Sequence, residues 1–375
     1  MQAFEFHYGP KLIAGSGAAT RLAQLLPEGP CLFVTDANVR ALGLADAVLA
    51  ALPDAQVFDA VEQDPSLDTL LAAVEAGRDC TSVVGFGGGS PMDVAKLAAY
   101  LLGSGDDLDS IWGVGKATGK GLPLALVPTT AGTGSEATSV SVITVGGSVK
   151  NAVNSPPLNA EWAVLDPELT VGLPRPVTAA TGIDAMVHAI EAYTSARRKN
   201  PVSDMLAREA LRLLSQNLIA ACERPDDLEA RGNMLLGAHY AGVAFDSAPV
   251  AGVHALAYPL GGHFHVPHGL SNSLVLTHVL GHNMQAAMAD YAELGCVLDP
   301  SLAKLGTQAQ ARGLVEKLAE LTRATGLPLR LSEVGIGGEH LDLLASEAMK
   351  QERLLVNNPC PISEADARRL YEAAL

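Results

Sequence analysis

"GFGGGSPMDVAK", residues 85–96, decides how the first half of this chain is read. It joins an apolar run, "SVVGF", to a stretch with helical spacing. Gly87, Gly88 and Gly89 carry no side chains, so a ligand can approach their backbone closely. Ser90 is expected to cap the helix, with Pro91 at its first position and Asp93 completing a capping-box-like pair. The free N–H groups and dipole of a helix start favour an anion such as a pyrophosphate. Three glycines in a row exceed what a tight turn alone requires.

Outward from this motif, short apolar runs alternate with helical stretches from Cys31 to about Pro167. "CLFVTD", "AQVFDAV", "SVVGFGGG", "LPLALVPTT", "VSVITV" and "AEWAVLD" read as strands. Continuous apolar strands separated by helices imply a mostly parallel sheet covered on both faces. "VPTTAGTGSEAT" is a second flexible loop at a strand end, where Thr129, Thr130 and Thr133 supply hydroxyls. Ligands of open α/β sheets bind at that edge, so the two loops together point to a nucleotide. Asp36, at the end of "CLFVTD", can accept hydrogen bonds from a ribose and would repel a 2′-phosphate, which favours NAD(H). It can equally cap the helix that follows, and one residue can do both. The glycine turn follows the third strand and comes well after Asp36, unlike the usual dinucleotide fingerprint.

Beyond about Pro176 the rhythm changes to long amphipathic helices, such as "SDMLAREALRLLSQNLIAACE". The expected organisation is a Rossmann-like α/β nucleotide-binding domain over residues 1–174 and an all-α metal and substrate domain over 175–375. With 25 basic and 41 acidic side chains the net charge is −16, which disfavours nucleic acid and anionic membrane as partners. The opening "MQAFEFHYGPKLIAG" lacks a basic region followed by an apolar core, and no apolar run has the length of a membrane span. Five scattered cysteines without a C-x-x-C suit a reducing cytoplasm.

The chemistry is expected in the second half. "VHALAYPLGGHFHVPHG", residues 253–269, holds four of the ten histidines. "TGIDAMVHAIEAY" places Asp184 and His188 four apart on one helix face, where a carboxylate and an imidazole can close on one cation. Two ligand sets fit the spacing. One is local, His263, His265 and His268. The other joins His254 and His268 to Asp184 and His188. Three imidazoles and a carboxylate suit Fe2+, Zn2+ or Mn2+. Spacing alone does not choose between the sets. Between Gly232 and Ala303 there is no Lys or Arg, which favours a small neutral alcohol or aldehyde, with Phe245, Tyr258 and Phe264 as apolar walls.

Taken together, "GGGSPMDVAK", "PTTAGTGSEAT", "TGIDAMVHAIEAYTS", "AGVHALAYPLGG" and "VPHGLSN" resemble the iron-containing (group III) alcohol dehydrogenases over nearly the whole chain. The C-terminal "NNPCP" is a weaker match to an N-P-R of that family. The resemblance implies a dehydroquinate synthase-like fold, NAD(P) on the first domain, and a divalent metal, Fe2+ before Zn2+. It implies Asp184, His188, His254 and His268 as metal ligands, and leaves His263 and His265 aside. Gly88, Gly89, Ser90, Thr129, Thr130, Thr133 and Lys150 match cofactor-binding positions, to which the reading above adds Asp36 and Asp93. One departure is Tyr258, where many members carry a histidine near the nicotinamide, so Tyr258 becomes the candidate proton carrier. The expected activity is reversible hydride transfer between NAD(H) and a small alcohol or aldehyde, in a homodimer or larger homo-oligomer. Rival expectations are a maleylacetate or hydroxyacid–oxoacid reaction, a dehydroquinate synthase-like or glycerol-phosphate activity, or metal and nucleotide binding without catalysis.

Overall fold

The computed structural model of the protein describes residues 3–146 and 149–375. It divides into two compact units, Tyr8–Val171 and Gly172–Leu375, and the stretch through His7 groups with the second.

In the first unit the strands are β1 (Lys11–Ala14), β2 (Cys31–Val34), β3 (Ala55–Phe58), β4 (Ser82–Gly87), β5 (Gly113–Val114), β6 (Leu124–Pro128), β7 (Val140–Val145), β8 (Val149–Asn154) and β9 (Trp162–Leu165). Six of them form a parallel sheet in the order β1-β9-β6-β4-β2-β3. Both faces of its central strands are covered. Leu32, Val34, Val83, Leu124 and Leu126 pack into one buried cluster, and Phe33, Val84, Phe86, Ala125 and Val127 into the other. This is why the strands read as unbroken apolar runs instead of alternating ones.

Two differences from expectation have local causes. "VSVITV" does not extend the large sheet; it is β7, antiparallel to β8 in a separate three-stranded sheet β5-β8-β7. Edge strand β1, "KLIA", has no sequence signal, because four partly exposed residues with a lysine show neither an apolar run nor clear alternation.

The helix from Gly89 to Ser104 follows β4 and lies against the sheet. A Cβ at Gly85 would stand 2.6 Å from Leu126 Cδ2, 2.7 Å from Ala95 Cβ and 3.2 Å from Met92 Cα. Glycine at this point of β4 is therefore what lets the helix approach.

The second unit is built from helices, among them Arg175–Thr194, Pro201–Glu223, Leu228–Ser247, Gly252–Phe264 and His268–Asn283. Pro201 occupies a first-turn position, and Asn200 caps that helix in a reciprocal box with Ser203. Among the described residues no helix is long and apolar enough to cross a membrane.

Replacing Gly85 with Val should push the Gly89–Ser104 helix off the sheet and destabilise the protein by about 1–3 kcal/mol. Urea unfolding would show this as a lower midpoint at unchanged slope.

Candidate active site

Asp184, His188 and Glu191 follow one another along a single face of the Arg175–Thr194 helix, and all three are buried. His254 comes from the first turn of the Gly252–Phe264 helix, and His268 opens the His268–Asn283 helix directly after Pro267. One donor atom from each of Asp184, His188, His254 and His268 falls within 4.8 Å of every other.

From Asp184 Oδ1 the Nε2 atoms of His268, His254 and His188 lie 3.6, 3.7 and 3.9 Å away. These separations are too long for hydrogen bonds. They match the edge of a coordination polyhedron, since donors about 2.1 Å from one ion in a tetrahedron stand about 3.4 Å apart. His263 and His265 stay outside: His263 Nε2 faces Glu347 at 3.7 Å, and His265 terminates its helix with φ 55°.

The close approach of the helices depends on Gly269. A Cβ there would meet Ala180 O at 2.3 Å and Asp184 Cβ at 3.3 Å. Glycine beside His268 thus lets its helix lie directly on the Asp184 helix.

Two neighbours escaped the sequence reading. Glu191 Oε2 pairs with His254 Nδ1 at 2.7 Å, and the same carboxylate accepts from Ala251 N at 2.8 Å and Val253 N at 2.6 Å. A carboxylate on Nδ1 fixes the tautomer and leaves Nε2 to face the other donors. Its signal was present, seven residues after Asp184 on the same helical face. Asn272 donates Nδ2 to Asp184 Oδ1 at 2.6 Å, and that nitrogen is 3.3 Å from both His254 Nε2 and His268 Nε2. Its Oδ1 is buried without a hydrogen-bond partner. The amide presents the positive end of its dipole to three of the four donors, so the group is shaped to surround positive charge.

The electrostatics agree. Burial would raise the Asp184 carboxyl, but His188, His268 and His254 as charged neighbours, with the Asn272 hydrogen bond, outweigh it and hold it below the ordinary range. Burial would lower His254, and Glu191 followed by Asp184 reverses this, raising it. The donor set itself, three imidazoles and one carboxylate converging with three of the four residues buried, fits a divalent metal.

The aromatic walls divide. Phe245 packs on His188 with centroids 4.5 Å apart, and Tyr258 lies 5.9 Å from His268. Phe264 instead meets His340 edge-on at 4.8 Å and is not brought to the four donors. The cation-free stretch is also supplemented from elsewhere in the chain: Arg353 stands over the Tyr258 ring at 5.9 Å. Nothing local in the sequence indicates that pairing.

In the α/β unit, Asp36, the glycine turn and the threonine loop sit at the carboxyl ends of the neighbouring strands β2, β4 and β6. Thr129 N donates to Gly87 O at 2.9 Å. A Cβ on Gly89 would lie 3.0 Å from Thr133 Cγ2, and one on Gly88 would lie 3.8 Å from Thr130 Oγ1. Gly87 has φ 150° and faces Asp36 Oδ2. Asp36 caps its helix through Oδ1, accepting from Asn38 N and Val39 N at 2.9 Å each.

Three details of the first-turn reading change, and one of them is that Pro91 takes the third helical position instead of the first. The helix begins at Gly89 with Gly88 as its cap, so Ser90 is inside it, not the cap. Asp93 forms no capping box. Its Oδ1 accepts from Ser135 Oγ at 2.6 Å and its Oδ2 from Val142 N at 3.0 Å, which ties the threonine loop and β7 to the helix. Burial raises its pKa, opposed by Lys96, Ser135 and Val142. Lys150 Nζ is engaged with Asp64 Oδ1 at 2.6 Å.

The iron-containing alcohol dehydrogenase model matches residues 9–167, and the C-terminal model of the Fe-containing alcohol dehydrogenase family matches residues 178–375. The chain belongs to the iron-containing alcohol dehydrogenase family. It is 42% identical to long-chain-alcohol dehydrogenase 1 of Geobacillus thermodenitrificans, covering 94% of this chain and 93% of that one. It is 32% identical to the NAD-dependent methanol dehydrogenase of Bacillus methanolicus, covering 99% of each. A solved 1,3-propanediol oxidoreductase superposes with a TM-score of 0.96 at 31% identity over all of both chains. The fold is the dehydroquinate synthase-like one of this family, and the enzyme is an oxidoreductase acting on CH–OH groups.

Glu191→Gln should weaken metal binding by about 10–100-fold while the protein stays folded, because the His254 tautomer is no longer enforced. Metal content after dialysis against graded chelator, read beside circular dichroism, checks this.

Proposed function

We propose that the enzyme interconverts primary alcohols and aldehydes with NAD(H), iron being held by Asp184, His188, His254 and His268. The observation that carries this reading is the convergence of those four donors, three of them buried, from three helices. When bound, iron supplies Lewis acidity toward the substrate oxygen and NAD(H) supplies or accepts the hydride.

The chain's own residues do the rest. Glu191 holds His254 with Nε2 toward the site, and Phe245 shields His188 from water. Tyr258, beside His268, carries the proton at its hydroxyl oxygen. In the α/β unit, spanning residues 1–174 of the expected division, Gly88, Gly89 and Ser90 offer a helix start to the pyrophosphate. Thr129, Thr130 and Thr133 form the opposing wall, and Asp93 holds that wall in place. Asp36 keeps Oδ2 for a ribose hydroxyl while Oδ1 caps. Residues 175–375 form the metal and substrate unit. Five free cysteines suit action in the cytoplasm. The family resemblance favours a homodimer or larger homo-oligomer.

Purified enzyme should contain iron or zinc, and its NADH-driven reduction of aldehydes should fall by at least about a hundredfold in His254→Ala and His268→Ala. Full turnover by both variants after exhaustive chelation would overturn the reading. Asp36→Gly, which costs the helix cap only a few tenths of a kcal/mol, should shift the NADH-to-NADPH ratio of kcat/KM toward NADPH. An unchanged ratio removes Asp36 from the ribose-reading role.

A further inference from the structure

We infer that Arg353 docks the anionic end of the substrate, so that the preferred carbonyl compounds are short aldehydes carrying a terminal carboxylate. This rests on the alcohol–aldehyde reading above and names its substrate class.

Arg353 belongs to the short helical turn Glu352–Leu355. Asn357 holds that turn in place, donating from Nδ2 to Arg353 O at 3.0 Å and to Val250 O at 2.9 Å. The arginine is thereby tied to the segment that leads into His254. Its guanidinium stands 5.9 Å from the Tyr258 ring centroid, and that ring in turn is 5.9 Å from His268. His268 keeps 43% of its side chain exposed, and both Tyr258 and Arg353 reach solvent, so the three form an open line away from the buried donors.

Its pairing is the second observation. After Leu341 the cations are Lys350, Arg353, Arg368 and Arg369. Lys350 pairs with Glu347, Arg368 with Asp342 and Glu372, and Arg369 with Asp366. Among the described residues, Arg353 has no carboxylate within ion-pair distance. In a chain of net charge −16, an unclaimed guanidinium beside the candidate site is available to a ligand. Its planar fork matches a carboxylate in two parallel hydrogen bonds, and a neutral chain end would gain nothing from it. The reaction balances as in the neutral case: the carbonyl carbon takes hydride from NADH, the oxygen takes one proton, and the carboxylate is unchanged.

The test compares succinic semialdehyde with butanal in NADH-driven reduction by iron-loaded enzyme. The ratio of their kcat/KM values should fall about tenfold in Arg353→Met, chiefly through KM, and partly recover in Arg353→Lys. Arg312→Met, which removes an exposed cation from the Thr307–Thr325 helix, should leave the ratio unmoved. Succinate, which cannot react, should bind the Arg353→Met enzyme correspondingly more weakly by titration calorimetry. A ratio or a succinate affinity equal to wild type in Arg353→Met overturns the assignment. If wild-type enzyme reduces neither aldehyde, the alcohol–aldehyde reading itself fails; butanal turnover with an unmoved ratio sinks only the role of Arg353.

Discussion

A carboxylate buried on the apolar face of a central helix has to be compensated, and the helical unit is organised around that requirement. Asp184 is 2% exposed, and an isolated ionised carboxyl at such a depth would cost several kcal/mol or else take up a proton. Here it faces three imidazoles and the amide of Asn272, and its ionised form is favoured in spite of burial. The helices that carry His254 and His268 must be held against the helix of Asp184. Gly269 and the Glu191 carboxylate do the holding.

The cost extends outward through linked hydrogen bonds. Glu191 ties His254 to the backbone of residues 251 and 253. Asn358 then accepts from Gly252 N at 3.3 Å and from Asn283 Nδ2 at 2.9 Å, so the weakly matching "NNPCP" segment anchors the entry to the His254 helix. A C-terminal motif thus stabilises a turn more than 100 residues earlier in sequence. Removing one member of such a network strands its buried partners, which makes single truncations within it costly.

The α/β unit follows a different rule. Its loops are supported by a buried sheet, and the groups proposed to meet the cofactor are largely backbone. Gly87, Gly88 and Gly89 keep the space between β4 and the threonine loop open, while the side chain expected to complete a capping box, Asp93, secures that loop from behind. The motif was legible because glycine runs and strand-end threonines are local signals. The exact role of Asp93 was not, because its partners Ser135 and Val142 lie more than 40 residues away.

Local pattern was enough to separate an α/β half from a helical half, since apolar runs and helical spacing report on burial within a few residues. It was also enough to offer Asp184 and His188 as a pair, because four residues is one turn of a helix. It left two histidine sets open, missed β1, assigned β7 to the wrong sheet and placed Phe264 at the wrong wall. Resemblance favoured one histidine set, but only the packing of three helices brings His254 and His268 to Asp184 and turns His263 toward Glu347. Arg353 beside Tyr258 is likewise a tertiary fact, made by chain segments some 95 positions apart in sequence. Periodicity encodes which face of an element is buried; which faces meet depends on close approach at points such as Gly269 and on hydrogen bonds between distant segments, and no local pattern carries that.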